Sequence, residues 1–171
     1  MESRLEFWQR GPIENIPALL QPVSHALLQA REEVHNIMAG FPEALLWERP
    51  VGVASPAFHL QHLTGVVNRL FTYARNEPLT KYQYAALAIE GKRDETNANM
   101  QELISLFDKQ VDAAIEELKT ADTGKLAEAR GVGRKQIPTT LIGLYFHAAE
   151  HSMRHVGQLL VTVRVLKGQK S

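Results

Sequence analysis

Apolar residues recur at helical spacing through most of the chain. In "QPVSHALLQAREEVHNIMAGFP", the residues Val23, Leu27, Ala30, Val34, Ile37 and Met38 form one stripe, the pattern of a helix that buries a single face. Pro22 suits the first turn, and Gly40 with Pro42 ends the helix. A second helix starts in "SPAFHLQHLTGVVNRLFTYARNEP", where Ser55 and Pro56 supply an N-cap and a first helical residue. Pro78 lies just past its end. "KYQYAALAIEG" fits a short helix closing at Gly91. A third long pattern, "DETNANMQELISLFDKQVDAAIEELKTADTG", turns Met100, Leu103, Leu106, Phe107, Val111, Ala114, Ile115 and Leu118 inward, with Asp94 as cap and Gly124 as stop. After the loop "EARGVGRKQIP" the last helix runs from about 138 to 166. No stretch of useful length alternates at period 2. The expectation is an all-α four-helix bundle, one domain over residues 1–171, with long connections and a short extra helix between helices two and three. The long connections leave the up-and-down order of the helices open.

Charge and composition narrow the function. Nineteen basic and nineteen acidic side chains balance, and no basic block offers a surface for nucleic acid or anionic lipid. No apolar run approaches the roughly 18 residues of a membrane span. The opening "MESRLEFWQRGP" lacks the apolar core of a secretory signal, so a cytoplasmic location is expected. There is no cysteine. Disulfides, thiolate ligands and a cysteine nucleophile are excluded, and any transition-metal site must be built from histidine and carboxylate.

The candidate chemistry lies in "HAAEHSMRHVGQL", which carries three of the seven histidines, His147, His151 and His155. Each i to i+4 step advances about 40° beyond a full turn. With His155 as the reference direction, Leu144, Ala148, Leu159 and Leu166 lie within roughly 40° of it. His155 and His151 therefore point inward, and His147 lies at the rim. Two imidazoles one turn apart, with β-carbons about 6 Å apart, can chelate one ion at about 2.1 Å. A third ligand must come from another helix, and the second helix offers His59 or His62. Three neutral histidines around one ion leave a coordination position open, as catalytic metal sites do. Gln158, about 60° from His155, and His147 are candidates for the outer shell or a substrate pocket. Gly157, in mid-helix, suggests close approach of a neighbouring helix. His25 and His35 read as histidines satisfied within the core, and Trp47 and Arg49 as residues that pack and cap the bundle end.

Two other motif readings fail. "HAAEH" has the H-x-x-E-H spacing of inverted zincins, but Glu150 falls on the polar side of the helix. No Asp or Glu follows it to supply an acidic third ligand. A di-iron carboxylate bundle needs two E-x-x-H pairs, and only Glu32 with His35 provides one.

The segment "HSMRHVGQL" resembles the last-helix motif of the DinB-like superfamily. "LWERP…SPAFHLQHL" resembles the same family's entry into its second helix, and the likeness spans roughly residues 20 to 168. The resemblance implies a four-helix bundle that binds a divalent metal through one histidine of the second helix and two of the fourth. By position these are His62, His151 and His155, with His59 in reserve as ligand or outer-shell group. It further implies a homodimer acting on a small molecule. The activity implied is a metal-dependent thiol transferase that uses a low-molecular-weight thiol such as bacillithiol, mycothiol or glutathione. A hydrolase using metal-bound water and a non-catalytic, stress-associated metal-binding dimer are the alternatives. Nitrogen ligands suit Zn, Ni, Fe or Mn alike.

Overall fold

The computed structural model describes residues 5–93 and 99–168. Its long helices are α1 (Gln21–Met38), α2 (Pro56–Ala74), α4 (Met100–Lys119) and α5 (Leu141–Gly168), with a short α3 (Lys81–Ala88) between α2 and α4. Three of them, α2, α3 and α4, start at a side-chain cap. Ser55 accepts from the Phe58 N–H at 3.2 Å, and Pro56 opens α2. Thr80 and Gln83 form a reciprocal capping box on α3, which satisfies amides that a helix terminus otherwise leaves bare. The cap of α4 is Asn99, whose side chain accepts from the Glu102 N–H. Asp94, the expected cap, lies outside the described residues, and Gly124 falls in a separate turn, Thr123–Lys125, beyond the helix end.

One departure from the all-helical expectation is a small antiparallel hairpin, β1 (Ala129–Val132) with β2 (Ile137–Thr140), in which Val132 faces Ile137 and Ala129 faces Thr140. Four residues per strand are too few for period-2 alternation to be legible. Pro138 therefore sits in a strand, and α5 begins three residues later than expected.

The packing order of the bundle decides where the site can form. α2 packs on α5 and α4, and α1 packs on the same two helices. Helices α1 and α2 thus stand diagonally across the core, as do α4 and α5. This arrangement brings α2 and α5 side by side, although the histidines they bring together, His62 with His151 and His59 with His155, lie 89 and 96 residues apart. Phe71, Phe107, Leu27, Leu63, Leu103, Leu118 and Leu159 are fully enclosed at the centre, each such side chain stabilising the fold by about 1.5–3 kcal/mol. Leu106 departs from the expected pattern. It is exposed and borders a cleft between α2, α3 and α4. Trp47 packs on the core, and Arg49 donates to the carbonyls of Gly52 and Val53, so both serve the bundle end as expected. Among the described residues no helix is long and apolar enough to cross a membrane.

Candidate metal centre

The cap at Ser55 fixes the start of α2, and the second turn of that helix turns His59 and His62 toward α5. There the ring nitrogens of His62, His151 and His155 lie within 4.8 Å of one another. His62 Nε2 is 3.0 Å from His151 Nε2. The His62 and His155 ring centroids are 4.4 Å apart, and those of His151 and His155 4.6 Å. Phe58 stacks on His62 at 5.3 Å with an interplanar angle of 11°, which closes one side of the cluster.

Two of the remaining nitrogens have close neighbours, whereas His151 Nδ1 makes no hydrogen bond. His62 Nδ1 lies 2.7 Å from Glu90 Oε2, and Glu90 Oε1 accepts from Arg69 Nη1 at 2.6 Å. The Glu90 side chain is only 9% exposed. Burial alone would raise its pKa, but hydrogen bonds from His62 and Arg69 outweigh that and hold it below its ordinary value. A charged carboxylate only accepts, so His62 Nδ1 carries the proton and Nε2 is left bare to face the cluster. On the other side, His59 Nδ1 lies 3.1 Å from His155 Nδ1. His59, 3% exposed, thus stands behind His155.

Glu90 reaches this place through a pinned turn. Gly91, at φ 80°, a conformation that glycine adopts without strain, donates its N–H to Gln61 Oε1 at 2.7 Å, and Gln61 Nε2 donates to the Lys92 carbonyl at 3.3 Å. A β-carbon at residue 91 would press on the Phe58 ring at 3.2 Å. Gly65 completes the arrangement. A β-carbon there would stand 2.5 Å from Arg69 Nη1 and 2.6 Å from Glu90 Oε1, so its absence lets the ion pair lie against the α2 backbone.

This donor set fits a first-row divalent ion: three imidazoles, one bare nitrogen fixed by an outer carboxylate, and burial that disfavours protonation. These residues could hold a metal ion. A second group, His147, Glu150 and His151, also brings its ligand atoms within 4.8 Å. His147 is exposed, with Nδ1 3.4 Å from Glu150 Oε2.

A family model for the DinB superfamily matches residues 26–159. The chain belongs to the DinB superfamily. The fold of this DinB-superfamily protein is similar to the crystal structure of a conserved protein from Enterococcus faecalis, with a TM-score of 0.71 and 19% identity. That match covers 87% of this chain and 97% of the other. No curated protein matches the sequence.

Other expectations for this DinB-superfamily chain meet the structure unevenly. Gln158 is exposed. Gly157 is exposed too, and a β-carbon there would meet nothing within 4 Å, so none of the described helices packs against it. His25 lies 3.0 Å from the Gly11 carbonyl. His35 is an exposed partner of Asp108 at 2.9 Å rather than a core histidine. Glu32 is held by Arg10 through both carboxylate oxygens. Sequence reasoning missed Glu90, Arg69 and Gly65. The one available signal was Gly65, a glycine in mid-helix that costs about 1 kcal/mol relative to alanine.

Burial, then the neighbouring His62, lowers the pKa of His59 to about 4. Burial and the surrounding histidines lower His155 to about 4, and burial and its neighbours also lower His151. At His59 and His155 the unfolded chain takes up a proton near pH 6.5 and the folded chain only near 4. The contribution is therefore present above pH 6.5 and lost as pH falls toward 4. For His59 alone the loss amounts to about 3 kcal/mol. Urea unfolding of the metal-free protein at pH 7.5 and 4.5 is expected to show that loss, and a His59→Leu variant to lose less. Equal acid sensitivity of the two proteins would contradict it.

Proposed function

We propose that this protein is a metal-dependent transferase that joins a low-molecular-weight thiol to an electrophilic small molecule. The observation that carries the reading is the convergence of three imidazole nitrogens within 4.8 Å in a chain without cysteine, so that the thiol must come with the substrate. His62, His151 and His155 are the proposed ligands. A divalent ion held there supplies Lewis acidity and favours the thiolate form of a bound thiol at neutral pH. Glu90 fixes the tautomer of His62. His59 orients His155, and Phe58 shields the His62 ring. A cleft of about 560 Å³ between α2, α3 and α4 is lined by Gly65, Arg69 and Glu90 but by none of the histidines. It meets the cluster only through Glu90, so its size does not mark it as the reaction site.

The test is conjugation of an electrophile by the untagged protein with bacillithiol, mycothiol and glutathione. It is run after chelation and after return of Zn, Ni, Fe or Mn. Turnover with one thiol, lost on chelation and in His62→Ala, is expected. Turnover untouched by chelation would sink the reading. Metal-dependent ester hydrolysis without thiol conjugation would replace it with a hydrolase.

A further inference from the structure

The cleft between α2, α3 and α4, about 560 Å³, is within the roughly 300–1,000 Å³ of small-molecule sites. Its walls differ in chemistry. α4 contributes Leu103 and Leu106, and α3 with its C-cap contributes Ala86 and Ile89. Leu106 is 43% exposed, which leaves apolar surface uncovered at this wall. α2 instead lines the cleft with Thr64, Asn68 and Thr72, each four residues from the next. A packed helix face is apolar and a solvated one carries charge. A row of uncharged polar groups beside an apolar wall is neither, and it suits a pocket in which a few polar groups orient an apolar ligand.

The charges in the cleft are already paired. Arg69 is held by Glu90 at 2.6 Å, and Arg75 by Glu77 at 3.0 Å and by Glu117 at 2.6 Å. An ionic ligand would have to displace one of these partners, so the cleft suits an uncharged molecule. The hydrogen bonds of the wall also have a direction. Asn68 donates to Gln110 Oε1 at 2.9 Å and accepts from Gln83 at 2.6 Å, which leaves the Gln110 amide nitrogen to donate. Thr64 donates to the Leu60 carbonyl, so its oxygen is left to accept. A donor and an acceptor beside apolar surface match a ring that bears a carbonyl, hydroxyl or amine.

Glu90 joins this cleft to the histidines. Its Oε1 accepts from Arg69 in the cleft lining, and its Oε2 lies against His62 in the cluster. We propose that the cleft is an effector site for a small uncharged molecule with a ring-sized apolar face and a hydrogen-bonding edge, and that its occupant steadies Glu90 and through it the His62 ring. None of the residues of α3 is buried, so an occupant set against Ala86 and Ile89 gives this helix apolar contact it otherwise lacks. Glu90 follows directly on Ile89 and is fixed with it. The cleft meets the cluster only through this carboxylate, so the occupant modulates the centre and does not react there. Its effect on a metal rests on the reading of the histidines as ligands, but its binding does not.

The probe is N-phenylnaphthylamine, an uncharged aromatic amine that fluoresces in apolar sites, added to the full-length untagged chain. Saturable binding of one probe per chain is expected. Ala86→Trp fills the cleft and Leu106→Lys places a charge on its apolar wall, and each should weaken binding about tenfold or more. Circular dichroism should show both variants folded. Val161→Lys alters an exposed apolar residue of α5 and should leave binding unchanged. Anilinonaphthalene sulfonate, the same rings with an added anion, should not displace the probe. The occupied protein should exchange the Gly91 amide, next to Glu90, more slowly and bind zinc about fivefold tighter or more, with zinc tightening the probe by the same factor. Equal binding in the parent and both cleft variants would overturn the site, and displacement by the sulfonate would overturn the uncharged class. Probe bound in the cleft with Gly91 exchange unchanged would overturn the link to Glu90. A parent chain that binds probe and slows Gly91 exchange but takes up no zinc would sink the metal reading and leave the effector site standing.

Discussion

Single replacement of His62, His151 or His155 by alanine is expected to abolish stoichiometric binding of a divalent ion by the untagged protein. Each proposed ligand is one of three, and among the described residues the carboxylates near the cluster, Glu90 and Glu150, are already engaged by Arg69 and Arg154. Structural zinc sites gain roughly 10–16 kcal/mol from four ligands, so one ligand is worth about 3–4 kcal/mol, or roughly 10²–10³-fold in affinity. His59→Ala is the informative contrast. His59 Nδ1 faces His155 Nδ1 at 3.1 Å, so its loss should loosen His155 and cost about tenfold, as outer-shell changes do. Metal content by mass spectrometry after gel filtration, with affinities from competition, separates the cases. Unchanged content in all three alanine variants would remove the site, and a larger loss in His59→Ala than in His62→Ala would exchange their roles.

Loss of the Glu90 carboxylate is the second large effect. Glu90 and Arg69 side chains are 9% and 11% exposed, so Glu90→Ala leaves a guanidinium nearly buried without its partner. Such half-broken pairs cost about 3–5 kcal/mol of stability. The same change frees His62 to take either tautomer, with an expected 10–100-fold loss of metal affinity. Stability and affinity fall together here, so a second variant is needed to part them. Gly65→Ala gains about 1 kcal/mol of helix propensity, yet its methyl group would displace the Arg69–Glu90 pair. The expected result is a thermal midpoint held or raised alongside weaker metal binding. If Gly65→Ala binds metal as tightly as the parent, Glu90 does not need this position and the tautomer argument fails.

The helices were legible because their signals are local. Ser55–Pro56 marked the start of α2, and the stripe from Val23 to Met38 marked the buried face of α1. The histidine cluster was half legible. The i to i+4 arithmetic placed His151 and His155 inward and His147 at the rim, but rotation of α2 about its own axis left His59 and His62 unresolved until a family resemblance separated them. The partners of the histidines were not legible. Glu90 lies 28 residues from His62 and arrives through a turn whose position depends on Gln61, a tertiary contact with no sequence periodicity. The exposure of Leu106 has a similar origin, since the short α3 stands away from α4 and leaves a cleft that no helical wheel of α4 alone could reveal. His35 misled because an apolar neighbourhood in sequence is not a buried one in space.

The short helix α3 buries none of its residues. It is held by its capping box and by Gln83, which donates to Asn68 Oδ1 and Thr72 Oγ1 at 2.6 and 2.7 Å. A segment with so little apolar anchorage belongs to the low-stability end of a protein's opening reactions. Glu90 is carried just beyond it, so the segment that fixes His62 is also one of the easiest to unfold locally. Apparent metal affinity is then the intrinsic affinity scaled by the fraction of molecules in which this segment is closed. By reciprocity a bound metal holds it shut, which makes the slow exchange of the α3 amides a gauge of occupancy in the histidine cluster beneath.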